Sequence, residues 1–310
     1  MLALIVLTGA AVRLTDSGLG CEDWPTCNDE QLVPANSLHG WIEFGNRLLS
    51  GVVGLAVALA ALGARRLVPH RPELMPWAWG LVTGVVAQII LGAFTVKLEL
   101  NPLVVAAHFL LSMVLLWNAL VLYGLTHDTA PPVDTARPGS TAPPADSARP
   151  TGIDAGTFRS NRSLLAHSRL QVGMGALLLF MGTLVTGTGP NSGDIRADRF
   201  RLDLENVARL HGLTAWLFVA ALVGLVLRLH RVNHSALGRA EVVVAVSVAQ
   251  GALGYWQYAI GVPPILVQAH VVGAVAMWCS LVWLHIGVAG NATTETTAVA
   301  DEVAPTIGQT

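Results

Sequence analysis

The stretch VAQIILGAFTVKLELNPLVVAAHF, residues 86–109, is written a second time in the same chain as VAQGALGYWQYAIGVPPILVQAHV, residues 248–271. A shift of 162 residues lays Val86, Ala87 and Gln88 on Val248, Ala249 and Gln250. It also lays Leu91 and Gly92 on Leu253 and Gly254, Pro102 on Pro264, Val105 on Val267, and Ala107 and His108 on Ala269 and His270. The match runs unbroken through an apolar segment, a short loop and the next apolar segment. It therefore marks an internal duplication.

The composition decides which solvent the two copies live in. The chain is 53% hydrophobic and only 12% charged, against about 25% charged in an ordinary soluble domain. The apolar residues are gathered into runs at about 38–63, 76–96, 103–125, 170–190, 207–229, 240–260 and 264–287. Each approaches or exceeds the roughly 20 helical residues needed to cross a hydrocarbon core about 30 Å thick. An eighth run, residues 1–12, is too short to span. It has neither the basic head nor the small-residue cleavage site of a signal peptide, and reads as a clipped first helix. The fold expected is an all-α integral membrane protein of eight transmembrane helices, arranged as two tandem four-helix bundles. Four helices separate the copies, so both run the same way through the bilayer, related by an axis along the membrane normal.

Residues 129–140 and 141–152 read TAPPVDTARPGS and TAPPADSARPTG. This tandem copy is too poor in large apolar residues to fold and is expected to be disordered. The organisation predicted is an N-terminal bundle over 1–126, a linker over 127–165, a C-terminal bundle over 166–289 and a disordered tail over 290–310. The arginines of the loops after the second and sixth helices, and those before the fifth, fall on one side, which reads as cytoplasmic. The chain is then a multi-pass protein of the plasma membrane, its partner surface the lipid bilayer and not a nucleic acid. Cys21 and Cys27 lie in the first outer loop, where an oxidising compartment favours a disulfide, though two free thiols remain the alternative on spacing alone. Cys279 reads as inert packing.

Ionisable residues inside a membrane are costly and mark function. His270 lies six residues past Pro264, about 9 Å into its helix, and His108 lies six past Pro102. His211 sits at similar depth on the sixth helix. His211 and His270 therefore come from two helices of one bundle, matched in depth, which is the arrangement of bis-histidine haem ligation. Two buried histidines bonded to neighbours, or a copper or zinc site, are the competing readings. The latter lacks a third donor.

His211 stands 59 residues before His270, and the residue in the matching place of the first half is Asn46, 62 before His108. His39 is 69 before. His39, Glu43 and Asn46 recur at i, i+4 and i+7 and share one helix face. The first half thus offers one imidazole, an acid and an open position, which describes a substrate site. A structural ion pair from Glu43 to Arg47 is the alternative. Gln88 and Gln250 are expected to bond across helices.

The motifs GAAVRLTDSGLGCEDWPTC, IEFGNRLLSG, QIILGAFTV with NPLVVAAHF, LHGLTAW and LVQAHVVGAV, in this order and spacing, resemble the bacterial membrane haem A synthase family, of the actinobacterial type. The resemblance covers nearly the whole chain except the linker and tail. It implies an oxidoreductase that converts one methyl of haem O to a formyl, through an alcohol and a gem-diol, giving haem A for cytochrome oxidase assembly. It implies a haem b cofactor held by His211 and His270, with the substrate iron on His108. It also implies Glu43 in the substrate half and a Cys21–Cys27 disulfide near the substrate. Within that frame the expected role of Glu43 is to stabilise positive charge at the reacting carbon or to move its proton, and Arg47 or Arg13 is expected on the propionates. Haem O would come from haem O synthase, a farnesyltransferase. The family commonly reads Glu-x-x-His-Arg where this chain has Glu43, Phe44, Gly45, Asn46, Arg47. A ligand expected on the substrate haem is therefore replaced, and His39, about 10 Å further out, cannot stand in for it. A di-haem b-type cytochrome passing electrons to or from quinone, or a non-catalytic haem carrier, are the rival functions.

Overall fold

The computed structural model describes residues 1–28, 32–34, 37–127 and 155–303, with only the backbone described over 155–161 and 291–303. Among these residues the regular elements are helical, with no strand. The helices are α1 (Leu2–Leu14), α2 (Leu38–Arg65), α3 (Met75–Lys97), α4 (Pro102–His127), α5 (Ala155–Thr188), α6 (Leu204–Arg231), α7 (Leu237–Ala259) and α8 (Pro264–Val303). All but α1 contain stretches long and apolar enough to cross a membrane, so the chain is a multi-pass membrane protein. In hydrocarbon the backbone must satisfy its own hydrogen bonds, and helices do so within one segment.

The helix starts are written locally. Ser37 Oγ accepts the Gly40 N–H and caps α2; Asp203 accepts the Asn206 N–H at 2.8 Å and caps α6. Pro102 and Pro264 open α4 and α8, where a missing N–H costs nothing.

Two boundaries differ from those expected. The α5 helix begins at Ala155, within the linker expected over 127–165, because Pro150 is the last proline of that stretch. The α8 helix runs to Val303, past the tail boundary at 290, because no Pro or Gly stands between Gly290 and Pro305. The tandem 12-residue copy lies wholly within 128–154, and the last seven residues at 304–310, outside the described residues.

Helices α1 to α4 pack in sequence with α4 returning to α1, and α5 to α8 pack in sequence with α8 returning to α5. The two rings meet along α1, α4, α5 and α8. The buried positions repeat with the rings. Val53, Val57 and Ala64 on α2 match Phe218, Leu222 and Leu229 on α6, in the register that sets Asn46 on His211. Ala78 and Leu81 on α3 match Ala240 and Val243 on α7, in the register that sets Gly92 on Gly254. The packing is not equal, however. Of the largest fully buried side chains among the described residues, Leu74 alone belongs to the N-terminal ring; Phe218, Leu222, Leu225, Leu281 and the rest line the C-terminal one.

Above one end of both rings sits a shared cap made from the loops after α1 and α5. The Gly18 N–H donates to the Gly193 carbonyl at 3.0 Å. Arg13 Nη2 donates to the Thr186 carbonyl at 2.7 Å, tying α1 to α5. Gly193 has φ +102°, and a Cβ there would meet Arg13 Cγ at 3.2 Å, so glycine suits both its backbone and its neighbour.

Candidate haem-binding and cap sites

His211 on α6 and His270 on α8 face one another inside the C-terminal ring, their ring centroids 6.4 Å apart and their planes at 68°. Two imidazoles bound at about 2 Å to opposite sides of one metal ion put their centroids roughly 6 Å apart. The spacing fits a shared iron. In His270 and His108 Nδ1 is buried with no hydrogen-bond partner in the protein. In His211 and His270 this atom sits on the ring edge turned to the glycine of the preceding helix, Gly182 or Gly254, so a group held between the two rings would be met by Nε2. Among the described residues no group of three or more His, Cys, Asp or Glu gathers to hold a bare ion. A flat macrocycle that brings its own four donors needs only the two rings.

Two devices set the imidazoles, the first at all three histidines and the second at His270 and His108. The first is a glycine on the preceding helix. A Cβ built at Gly254 would meet His270 Cε1 at 3.1 Å, one at Gly182 would meet His211 Cε1 at 3.5 Å, and one at Gly92 would meet His108 Cε1 at 3.7 Å. The second is an amide across the helix pair: Gln250 Nε2 donates to the His270 carbonyl at 2.6 Å, and Gln88 Nε2 donates to the His108 carbonyl at 3.0 Å. The cross-helix role expected of both glutamines is thus seen, with the histidine's own backbone as acceptor. The glycines were not readable from the sequence, since a glycine in a transmembrane helix acquires meaning only once its neighbour is known.

In the N-terminal ring, Asn46 occupies the place of His211. Its Nδ2 lies 3.9 Å from a Cβ built at Gly9, as His211 lies beside Gly182. Its Oδ1 accepts a hydrogen bond from Thr8 at 2.8 Å, so the amide is tethered to α1.

Glu43, His39 and Arg47 turn toward the cap. Glu43 is 6% exposed, with Oε1 at 2.6 Å from Arg47 Nη2 and Oε2 accepting the Cys21 N–H at 2.8 Å. The i, i+4 ion pair, the alternative reading of Glu43, is therefore formed. Arg47 also donates to the carbonyls of Asp23 at 2.8 Å and Thr26 at 3.0 Å, and its guanidinium is engaged with the cap rather than presented to a propionate. Arg13 is likewise engaged on Thr186. Cys21 and Cys27 form the disulfide that closes this loop. His39 is exposed, its Nδ1 2.9 Å from Ser17 Oγ, and joins neither Glu43 nor Asn46. It lines a cap cleft of about 370 Å³ with Asp16, Glu22 and Asp194. Partial burial pushes the Asp194 carboxyl up, but hydrogen bonds from the Arg196 guanidinium and N–H outweigh it, holding the group below the usual carboxylate range.

Fold and site together define a duplicated helical membrane protein with a paired-imidazole pocket in one half and a single-imidazole counterpart in the other. The family model described as cytochrome oxidase assembly protein matches residues 1–189, and the chain belongs to that family. The chain is similar to proteins named heme A synthase. It is 37% identical over 106 residues to that of Geobacillus thermodenitrificans, covering 34% of this chain and 33% of the relative. It is 34% identical over 121 residues to that of an Exiguobacterium species, covering 38% and 40%, and 34% identical over 137 residues to that of Shewanella oneidensis, covering 39% and 41%. The chain thus spans about a third to two-fifths of the length of the relatives it matches.

Proposed function

We propose that this protein is a haem A synthase of the plasma membrane, oxidising a methyl group of haem O to a formyl group and so supplying haem A to cytochrome oxidase. The observation that carries the reading is the inequality of the halves. His211 and His270 face each other at a metal-sharing distance, whereas His108 has Asn46 in the matching place. A resident group suits the first arrangement and an exchangeable substrate the second. The family and the names of the relatives point the same way.

In this reading His211 and His270 hold haem b, and His108 binds the iron of the substrate. A haem b held there supplies one-electron redox chemistry. Glu43 is assigned to stabilising positive charge that develops at the reacting carbon. Its carboxylate is fixed on both oxygens, which fits a stationary electrostatic role better than a moving proton carrier. Arg47 and the disulfide loop keep that carboxylate in place. A farnesyltransferase making haem O stands upstream as partner.

The experiment is co-expression of the full chain with a haem O source, followed by haem extraction and chromatography. A new, more polar formyl haem is the expected product. Haem b alone, with two low-spin haems per chain, would instead favour the di-haem cytochrome; bound haem O left unconverted would favour a carrier.

A further inference from the structure

The two glutamines that reach across to His108 and His270 end differently at their oxygens. Each amide turns its Nε2 to a histidine carbonyl, and a carbonyl needs an N–H opposite it, so the place of Oε1 is fixed as well. Gln250 Oε1 lies against α8 at Gly273, where any Cβ would collide with it. The 162-residue shift puts Leu111 in the place of Gly273 and Ser112 in the place of Ala274. A leucine closes the seat that the glycine leaves open. The serine supplies a second acceptor: Gln88 Nε2 also donates to Ser112 Oγ at 2.6 Å, and Ser112 Oγ donates to the His108 carbonyl at 3.0 Å. Both amide hydrogens of Gln88 are thereby used.

Gln88 Oε1 is left buried with no hydrogen-bond partner in the protein. A carbonyl oxygen can only accept, so what suits it is an O–H or N–H from outside the chain. Its position narrows which molecule brings one. Gln88 stands one turn before Gly92, and the two share a face of α3. Gly92 packs on the His108 ring, its built Cβ 3.7 Å from Cε1. Helix α3 runs toward the cap, so Gln88 sits about 6 Å to the inner side of that ring. Glu43 lies on the opposite side, under the cap at the Cys21 N–H. The His108 site thus has a carboxylate at its outer end and a neutral acceptor at its inner end.

We infer that Gln88 Oε1 accepts a hydrogen bond from the hydroxyl on the alkyl tail of the substrate porphyrin, which makes Gln88 a specificity-determining residue. The inference rests on the proposed function for the identity of that porphyrin. Haem O differs from haem b in bearing a hydroxyalkyl chain where haem b has a vinyl group, with the hydroxyl next to the ring. The apolar chain is at home anywhere in lipid and selects little. A hydroxyl in hydrocarbon needs an acceptor. The bond also sets register. A flat ring held by His108 alone is free to turn about the iron–nitrogen axis, and each of its methyls in turn passes Glu43. A second point of attachment at the inner end stops that rotation.

The test compares porphyrins that differ at this one group. Haem O, haem b and an untailed haem with hydroxyethyl groups in place of its vinyls are each titrated by absorbance into the N-terminal half of the full chain. The paired-imidazole spectrum of the other half reports folding. In the unaltered protein the hydroxyethyl haem is expected to bind roughly tenfold tighter than haem b. Gln88→Met keeps the length of the side chain and removes the acceptor. It also loosens the His108 carbonyl, which weakens every haem alike, so the readout is the ratio of affinities. The preference for haem O over haem b should fall by about tenfold, and that for the hydroxyethyl haem should vanish. Gln250→Met should leave both ratios unchanged. Equal binding of hydroxyethyl and vinyl haems to the unaltered protein overturns the inference whether or not the variant folds. So do ratios that survive Gln88→Met, ratios that fall equally in Gln250→Met, or no binding of any haem to the N-terminal half. Selective binding of haem O without conversion sinks the proposed function and leaves the role of Gln88 standing.

Discussion

The two rings of this protein share a helical register and buried positions, and they part company at a few side chains. The C-terminal ring has two imidazoles, a hydrogen-bonded aromatic bridge on its lipid face and nearly all of the largest fully buried side chains. The N-terminal ring has one imidazole, an asparagine tethered to Thr8, Gly51 and Ala93 where the C-terminal ring has the hydrogen-bonded Trp216 and Tyr255, and a disulfide loop clamped over its end. On the proposed reading, duplication set up two equivalent pockets and substitution made one a holder and the other an exchanger. The difference teaches that one helical register can carry two unlike sites.

That contrast can be broken or sharpened by substitution. The largest effect is expected at Glu43. Glu43→Ala should lower formyl-haem product by about 100-fold or more while the paired-imidazole spectrum persists. Glu43→Gln keeps the volume of the side chain and one acceptor, but its amide nitrogen cannot accept the second of the two hydrogen bonds from Arg47 and Cys21. If charge is what matters, the glutamine variant fails as the alanine variant does, and if one anchoring hydrogen bond suffices, it retains product. Product surviving in both removes Glu43 from the chemistry.

Next comes Asn46→His, which should erase the asymmetry itself. With Gly9 beside it as Gly182 is beside His211, the new imidazole faces the His108 site. A second low-spin bis-imidazole signal should then appear on adding haem, seen by absorption or electron paramagnetic resonance. An unchanged spectrum would show that Asn46 is not at a ligand position.

The glycine neighbours offer a finer comparison. Gly254→Ala brings a methyl to 3.1 Å from the His270 ring, whereas Gly92→Ala leaves 3.7 Å to His108. The first should destabilise by about 1–3 kcal/mol and shift the low-spin spectrum. The second should be neutral, or stabilising by up to about 1 kcal/mol from helix propensity. Thermal melts with the spectrum as a second readout separate the two.

Much of this was legible in the sequence, for a physical reason. Lipid admits only long apolar helices, so the seven spans announce themselves, and the repeat supplies the pairing of Gln88 with Gln250 and His108 with His270. Helix periodicity also set His39, Glu43 and Asn46 on one face. It did not show that the three side chains find three separate partners, Ser17, Arg47 with Cys21, and Thr8. Those partners lie in the irregular cap or on a neighbouring helix, where no period operates. The ends of α5 and α8 were also missed, because polar segments without breakers carry no hydrophobic signal yet continue a helix.

The smallest effect is expected at the cap surface. Arg196 pairs with Asp194 and Glu22 in the open, where solvent screens an ion pair to little net worth. Arg196→Ala should leave the melting temperature at neutral pH almost unchanged. Since the Asp194 carboxyl is held below its ordinary range, its contribution is present above that range and fades as pH falls through it. A melt series toward acid pH should show the two proteins converging.

The central claim is that the C-terminal ring clamps one iron between His211 and His270 while the N-terminal ring has a single imidazole to give. Absorption and electron paramagnetic resonance spectra of the purified protein, its His211→Ala and His270→Ala variants and its His108→Ala variant test it most directly. The account predicts a low-spin bis-imidazole haem that is lost or turned high-spin in either of the first two variants and untouched in the third. A colourless protein, or a low-spin signal that survives removal of either His211 or His270, contradicts it.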